Sequence, residues 1–206
     1  MIDFGELNDS TRDMDASSLL RFLIAERFPG GTLVTCSLRA RSIVLLKMIA
    51  EIDTATPILF CHAPEPYPES LEYRAALVSG LGLSDIREPA EDEGSPLTDD
   101  RDHSEGLWAE DPDKKTRVYK TVHLNRTLAD FDCWISGVYH GPYGGKPKPR
   151  ITQEGRLARI SPLADWSQDE VRQFMADNGL RYHPRSAVRP KATDTDDPKL
   201  APTYSF

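Results

Sequence analysis

The chain holds three cysteines in 206 residues, Cys36, Cys61 and Cys133, and no two of them form a CxxC pair. So odd and widely spaced a set argues against a disulfide framework and, by default, for a reducing cytoplasmic compartment. Long apolar runs are missing too, since none approaches the ~20 residues that a membrane-spanning helix needs. The opening residues, MIDFGELNDSTRDMD, show neither the basic stretch nor the apolar core of a secretory signal. Positive charge is the third scarcity. Lys and Arg number 25 against 33 Asp and Glu, a formal net charge of −8. That balance argues against wrapping nucleic acid or lying on an anionic membrane, because both need a concentrated basic face. It leaves room for local basic pockets.

What is present alternates between helical stripes and short apolar runs. Leu19, Leu20, Leu23, Ile24 and Phe28 form a stripe behind a cap at Asp15, and Pro29-Gly30-Gly31 stops it. TLVTC (32–36) predicts a buried strand, and Ser42 to Ile52 a helix with Ile43, Leu46, Ile49 and Ala50 inward. PILFC (57–61) is a second strand. Pro68 suits the first turn of a helix to about Ser79, with Gly80 and Gly82 ending it. SDIRE (84–88) is a weaker strand. Residues 89–113 form an acidic loop, with Leu107 and Trp108 as its anchors, and 114–129 a helix. Further strands are DCWISG (132–137) and LARIS (157–161), separated by the Gly/Pro-rich residues 140–149. Ser167 and Glu170 frame a capping box for a helix with Val171, Phe174 and Met175 inside.

This order predicts an α/β fold: a doubly wound, mainly parallel sheet with helices on both faces. One domain is expected over residues 1–184, followed by a polar tail, 185–206. In such sheets ligands bind outside the carboxyl ends of the strands. The rim positions are therefore Cys36 to Arg41, Cys61 to Tyr67 and Gly137 to Gly145.

Five stretches carry a resemblance: SIVLLKMIAEIDTATPILF (42–60), YPESLEYRAALVSGLGL (67–83), GLWAEDPD (106–113), LNRTLADFDCWISG (124–137) and SPLADWSQDEVRQFMADNGLRYHP (161–184). In order and spacing they resemble the phosphoadenosine/adenosine phosphosulfate (PAPS/APS) reductase family of the adenine-nucleotide α-hydrolase-like superfamily. The resemblance covers residues 32 to about 184. It implies the doubly wound fold, an adenylated ligand and, because the family often self-associates, a homodimer.

The departures from the family pattern all fall at the rim. Members carry S-x-G-x-[DE]-S after the first strand; here the stretch is Ser37-Leu38-Arg39-Ala40-Arg41-Ser42, with arginine for glycine and for the acid. The family's D-T-G falls on His62-Ala63-Pro64, its cluster-binding cysteine pair on Lys115 and Thr116, and a basic run on Val138, Tyr139 and His140. Reduction in the family begins with a thiolate from the tail, yet residues 184–206 contain no cysteine. Three cysteines cannot supply four-cysteine cluster ligation. The expectation is a protein without an iron–sulfur cluster or any other cofactor, in which the usual reductase chemistry is lost.

The residues standing in the old site are then the candidates. Arg39 and Arg41 have the forked donors to grip a phosphate, sulfate or carboxylate at a helix start, flanked by Ser37 and Ser42. As alternatives they are solvated loop arginines. Gly137, Tyr139 and His140 follow the strand 132–137, Glu65 lies beside two prolines, and Lys120 matches a family lysine in register. Cys36, Cys61 and His62 fall at neighbouring strand ends and form the catalytic candidates, as a Cys–His pair. With His140 they make a four-ligand set for zinc, against the alternative of small buried thiols. Three readings follow. The first is a cleft repurposed to bind or transform an adenylated or other anionic small molecule. The second is a non-catalytic relative acting through a partner, and the third a reductase using Cys36 or Cys61.

Overall fold

The computed structural model describes residues 2–61, 66–87, 124–138 and 149–187. Its frame is one six-stranded sheet in the order β3-β2-β1-β4-β6-β5. The strands are β1 (Thr32–Cys36), β2 (Ile58–Phe60), β3 (Ile86–Arg87), β4 (Cys133–Ser136), β5 (Ile151–Glu154) and β6 (Leu157–Ile160). All neighbours pair in parallel except β5 with β6. The expected mainly parallel, doubly wound α/β arrangement is what forms.

Every residue of β1 is buried, and its side chains divide between two cores. Val34 and Cys36 join Ile43, Leu46, Ile58, Ile135 and Val171 in the larger one. Leu33 joins Leu59, Leu124, Leu128, Trp134 and Leu157 in the smaller. Strands apolar on both sides require cover on both sides, the physical reason a parallel sheet reads as continuous apolar runs. Helices α2 (Ala16–Arg21), α3 (Ala40–Ala50) and α6 (Gln168–Asp177) supply residues to the larger core, and α5, the helical residues 124–128, to the smaller.

Local signals explain most boundaries. Asp15 caps α2 by accepting the Ser18 amide at 2.7 Å, and the Ser167–Glu170 capping box opens α6. Pro68 opens α4 (Pro68–Leu81), and Gly82, at φ 67, closes it in the left-handed conformation. α2 does not stop at Arg21 but continues as a π-helical turn over Phe22–Arg27, the Phe28 amide reaching back to Leu23 O at 2.9 Å.

Three features depart from the expectations. A short α1 (Phe4–Ser10) precedes the first expected helix, capped by Asp3 on the Glu6 amide. It lies against β5, where the Asn8 side-chain amide donates to Ile151 O at 3.3 Å. β5 itself was unforeseen, because ITQE reads as polar; pairing with β6 across a Gly155-Arg156 turn makes it an antiparallel edge. Finally, the start of the expected polar tail is ordered into structure, Pro184–Ala187 forming a 3-10 turn packed on α4. The expected acidic loop (89–113), the first part of the helix expected from 114, and most of the Gly/Pro-rich stretch lie outside the described residues. Among the described residues no helix is long and apolar enough to cross a membrane.

Candidate functional site

Strand order marks a candidate site before any side chain is considered. From β1 the chain crosses by α3 to β2 on one side, whereas β4 flanks β1 on the other. The order reverses between β1 and β4, and open α/β sheets bind ligands in the crevice outside the strand ends at such a reversal. The crevice here is bounded by Ser37 to Ser42 after β1 and by Ser136 and Gly137 at the end of β4.

The turn out of β1 is tight. Leu38 sits at φ 58, a left-handed conformation uncommon for a residue with a side chain. Its amide donates to Cys36 Sγ at 3.4 Å. Arg39 returns to extended backbone as the N-cap of α3 but places no side-chain cap on the helix. The hydroxyls of exposed Ser37 and buried Ser42 lie 3.2 Å apart across this turn. Against it runs β4's exit. A Cβ added to Gly137 would stand 3.0 Å from Ser42 N, 3.1 Å from Ser42 Oγ and 3.2 Å from the Arg41 carbonyl carbon. Glycine is required there by backbone proximity.

The two arginines of the turn separate in role. Arg41 turns its fork toward the chain after β6, donating to Leu163 O at 3.0 Å and to Trp166 O at 2.7 Å. The guanidinium read as half of an anion grip thus brackets α3 to the 161–166 turn. Arg39 stays on the exposed rim. At the end of β4, Ser136 Oγ is buried with no hydrogen-bond partner, in a residue only 4 % exposed. Its strand neighbour Thr35 is occupied, accepting the Trp134 indole N–H at 2.9 Å. Ser136 escaped the sequence reading because a serine ending an apolar strand resembles a strand boundary.

The cysteines fall differently from the expectation. Cys36 is 1 % exposed, and burial pushes its thiol up to about 12. Cys133 is fully buried, also raised to about 12 by burial. A nucleophilic thiol needs exposure and a depressed pKa, so Cys36 has the reverse of the required surroundings. Cys61 is half-buried, its amide held by Cys36 O at 2.9 Å. The other candidates, His62, Glu65, Lys120, Tyr139 and His140, lie outside the described residues. The expected Cys–His pair and four-ligand zinc set thus both include residues outside the described ones. A cavity of about 430 Å3 lies elsewhere, walled by Asp15, Met48, Arg150, Pro162, Trp166 and Phe174, and none of the β1–β4 rim residues lines it.

A reversal of strand order with a helix start set over it is the ligand-binding arrangement of a doubly wound α/β domain. Residues 31–185 match the family model described as the phosphoadenosine phosphosulfate reductase domain. The chain belongs to that family. It is 31% identical over 159 residues to the adenosine 5'-phosphosulfate reductase of Chelativorans sp. (strain BNC1), covering 77% of this chain and 64% of that one. To the adenosine 5'-phosphosulfate reductase of Mesorhizobium japonicum it is 32% identical over 149 residues, 72% of this chain and 58% of the relative. The alignments thus span about three-fifths of each of these two relatives. The structure of phosphoadenylyl-sulfate reductase from Candida auris, a phosphate complex, superposes with a TM-score of 0.65 at 18% identity, over 89% of this chain and 90% of that one. That likeness concerns the fold alone.

The iron–sulfur cluster that the resemblance associates with many members finds no matching ligand set in these thiols. Cys36 and Cys133 are enclosed in the sheet, and the chain has three cysteines in all. Among the described residues no group of three or more His, Cys, Asp or Glu side chains is placed to hold a metal ion.

Proposed function

We propose that this chain uses the crevice between the carboxyl ends of β1 and β4 to bind or transform an adenylated or other anionic small molecule, without tail-thiolate reduction. The observation that carries the reading is the start of α3. It has no side-chain cap from Arg39 and is flanked by the Ser37 and Ser42 hydroxyls, and β4, which bounds the crevice on its other side, ends in Ser136, whose Oγ is buried without a partner. Helix starts favour anions through their outward N–H groups and dipole, and a buried hydroxyl lacking a partner is a costly feature that a ligand oxygen would relieve. Arg39 adds a forked cation at the rim. Matched relatives named as adenosine 5'-phosphosulfate reductases support an adenylated ligand class. Loss of thiol reduction is supported by Cys36, whose enclosed, protonated thiol is unsuited to attack sulfur.

Calorimetric titration of the chain with AMP and with adenosine 5'-phosphosulfate tests the reading. Binding of either, weakened at least tenfold in Arg39→Ala, is the expected result. Absence of heat with both ligands removes it. Sulfite release from adenosine 5'-phosphosulfate with a thiol donor would overturn the loss of reductase chemistry.

One observation favours a second reading, a relative that acts through a protein partner. α4 buries none of its residues, Leu71 on it is 43 % exposed, and Tyr67 and Tyr182 are 56 % and 46 % exposed. Exposed apolar surface of this kind marks contact sites when contiguous. Retention of the adenylate affinity separates the first reading from this one.

A further inference from the structure

The stretch after α6 is held to α4 by contacts centred on His183. Its Nδ1 accepts the backbone N–H of Arg185 at 3.1 Å, which leaves that nitrogen without a proton. Nε2 therefore carries the ring hydrogen and donates it to Ser70 Oγ at 3.0 Å. The ring meets Tyr73 edge-on, with centroids 5.2 Å apart, and the Tyr73 hydroxyl donates to the Arg181 carbonyl. Two residues further, the Arg185 guanidinium lies 3.6 Å over the Tyr67 ring and 3.8 Å from the Glu69 carboxylate. Tyr67, Glu69, Ser70 and Tyr73 are the N-cap and first turns of α4, the end of that helix nearest the carboxyl end of β2.

We propose that His183 is a pH-sensitive latch, whose neutral ring holds residues 181–187 on α4 and whose protonation releases them. The neutral tautomer is the only one that both accepts from Arg185 and donates to Ser70. Protonating Nδ1 sets donor against donor and strips the Arg185 amide of its acceptor. An unpaired, part-buried amide then disfavours the docked form. Among the described residues, the charged groups on the elements packed together here are Arg181 and Arg185 on the segment itself and Glu69, Glu72 and Arg74 on α4. Release withdraws Arg185 from Tyr67 and Glu69 and uncovers the start of α4 beside the sheet rim.

The sign follows from which form docks. The neutral ring is required, so docking is complete above the ordinary imidazole pKa of about 6.5 and weakens as pH falls below it. Hydrogen exchange of the Arg185 amide in the full chain, corrected for intrinsic rates, reads the docking at pH 7.5 and 5.5. Both values keep Glu69 and Glu72 above the ordinary glutamate pKa of about 4.3. Protection of this amide should fall about tenfold between them, as expected for one proton over one pH unit below the ordinary value. In His183→Phe, which keeps an aromatic edge against Tyr73, protection should be the same at both pH values, whether docked or not. Ser70→Ala should lower protection at pH 7.5 yet keep the pH dependence. Equal protection of the native chain at both pH values overturns the latch, and so does a tenfold fall in His183→Phe.

Discussion

Arg41 and Trp166, 125 residues apart in the chain, are joined by a 2.7 Å hydrogen bond from the guanidinium to the Trp166 carbonyl. The same side chain reaches Leu163 O at 3.0 Å. Two carbonyls of the turn that follows β6 are thereby satisfied from the first turn of α3. The distinctive PLADWS stretch and the altered loop after β1 are one structural unit.

Removing that bracket should cost stability and leave the crevice between β1 and β4 otherwise composed as before. Hydrogen bonds to a charged partner contribute about 1.5–3 kcal/mol each, and water recovers part of the loss. Arg41→Ala should therefore lower unfolding stability by about 2 kcal/mol in urea denaturation. Arg41→Lys should recover less than half of that, because one ammonium cannot replace the planar fork. A change below about 0.5 kcal/mol in the alanine variant would show that the bracket is ornamental.

Arg39 should behave in the opposite way. It is exposed at the rim, so Arg39→Ala should change stability by less than about 0.5 kcal/mol while weakening anion binding at least tenfold. Parallel denaturation and calorimetry on the two single variants separate the roles, which a double variant would confuse.

Gly137 offers a test of the crevice's tightness. The added methyl group of Gly137→Ala would meet Ser42 N at 3.0 Å and the Arg41 carbonyl carbon at 3.2 Å, both backbone atoms. Overpacking of this kind costs about 1–3 kcal/mol, to be read from the midpoint of chemical denaturation. An unshifted midpoint would mean that β4's exit and α3 separate freely.

The thiols predict an alkaline limit. Burial raises Cys36 and Cys133 from 9.0 to about 12. The folded chain therefore holds protons that the unfolded chain releases, and stability is intact below about pH 9 and declines as pH climbs toward 12. Circular dichroism across pH 8 to 11 should show this decline, smaller in a Cys36→Ala/Cys133→Ala chain. Thiol-specific labelling of the native protein at pH 8 should reach Cys61 well before the other two. Rapid labelling of Cys36 would revive it as a nucleophile.

Much of the architecture was legible in local signals. TLVTC, ILF and CWIS are apolar enough to demand cover on both faces, and the caps at Asp15 and Ser167 and the glycine after α4 mark their helix ends. β5 was not legible, because an edge strand needs only one buried residue, Ile151, to be held by its neighbour. Around the crevice, Ser37, Arg39, Ser42 and Gly137 were singled out from their place after apolar strands, and the structure sets them at its edge. Arg41's partners and the idle hydroxyl of Ser136 were not, since neither is encoded by neighbours along the chain.

By itself the sequence determined the parallel sheet and the family, and it marked the rim at the strand ends where such sheets bind ligands. Those depend on hydrophobic period and on residues adjacent in the chain. Only the tertiary structure decided that Cys36 is sealed, that the two arginines part company, and that His183 grips α4. Each of those outcomes depends on atoms brought together from distant stretches: burial sets a thiol's proton affinity, and a guanidinium or imidazole is defined by the acceptors and donors it meets.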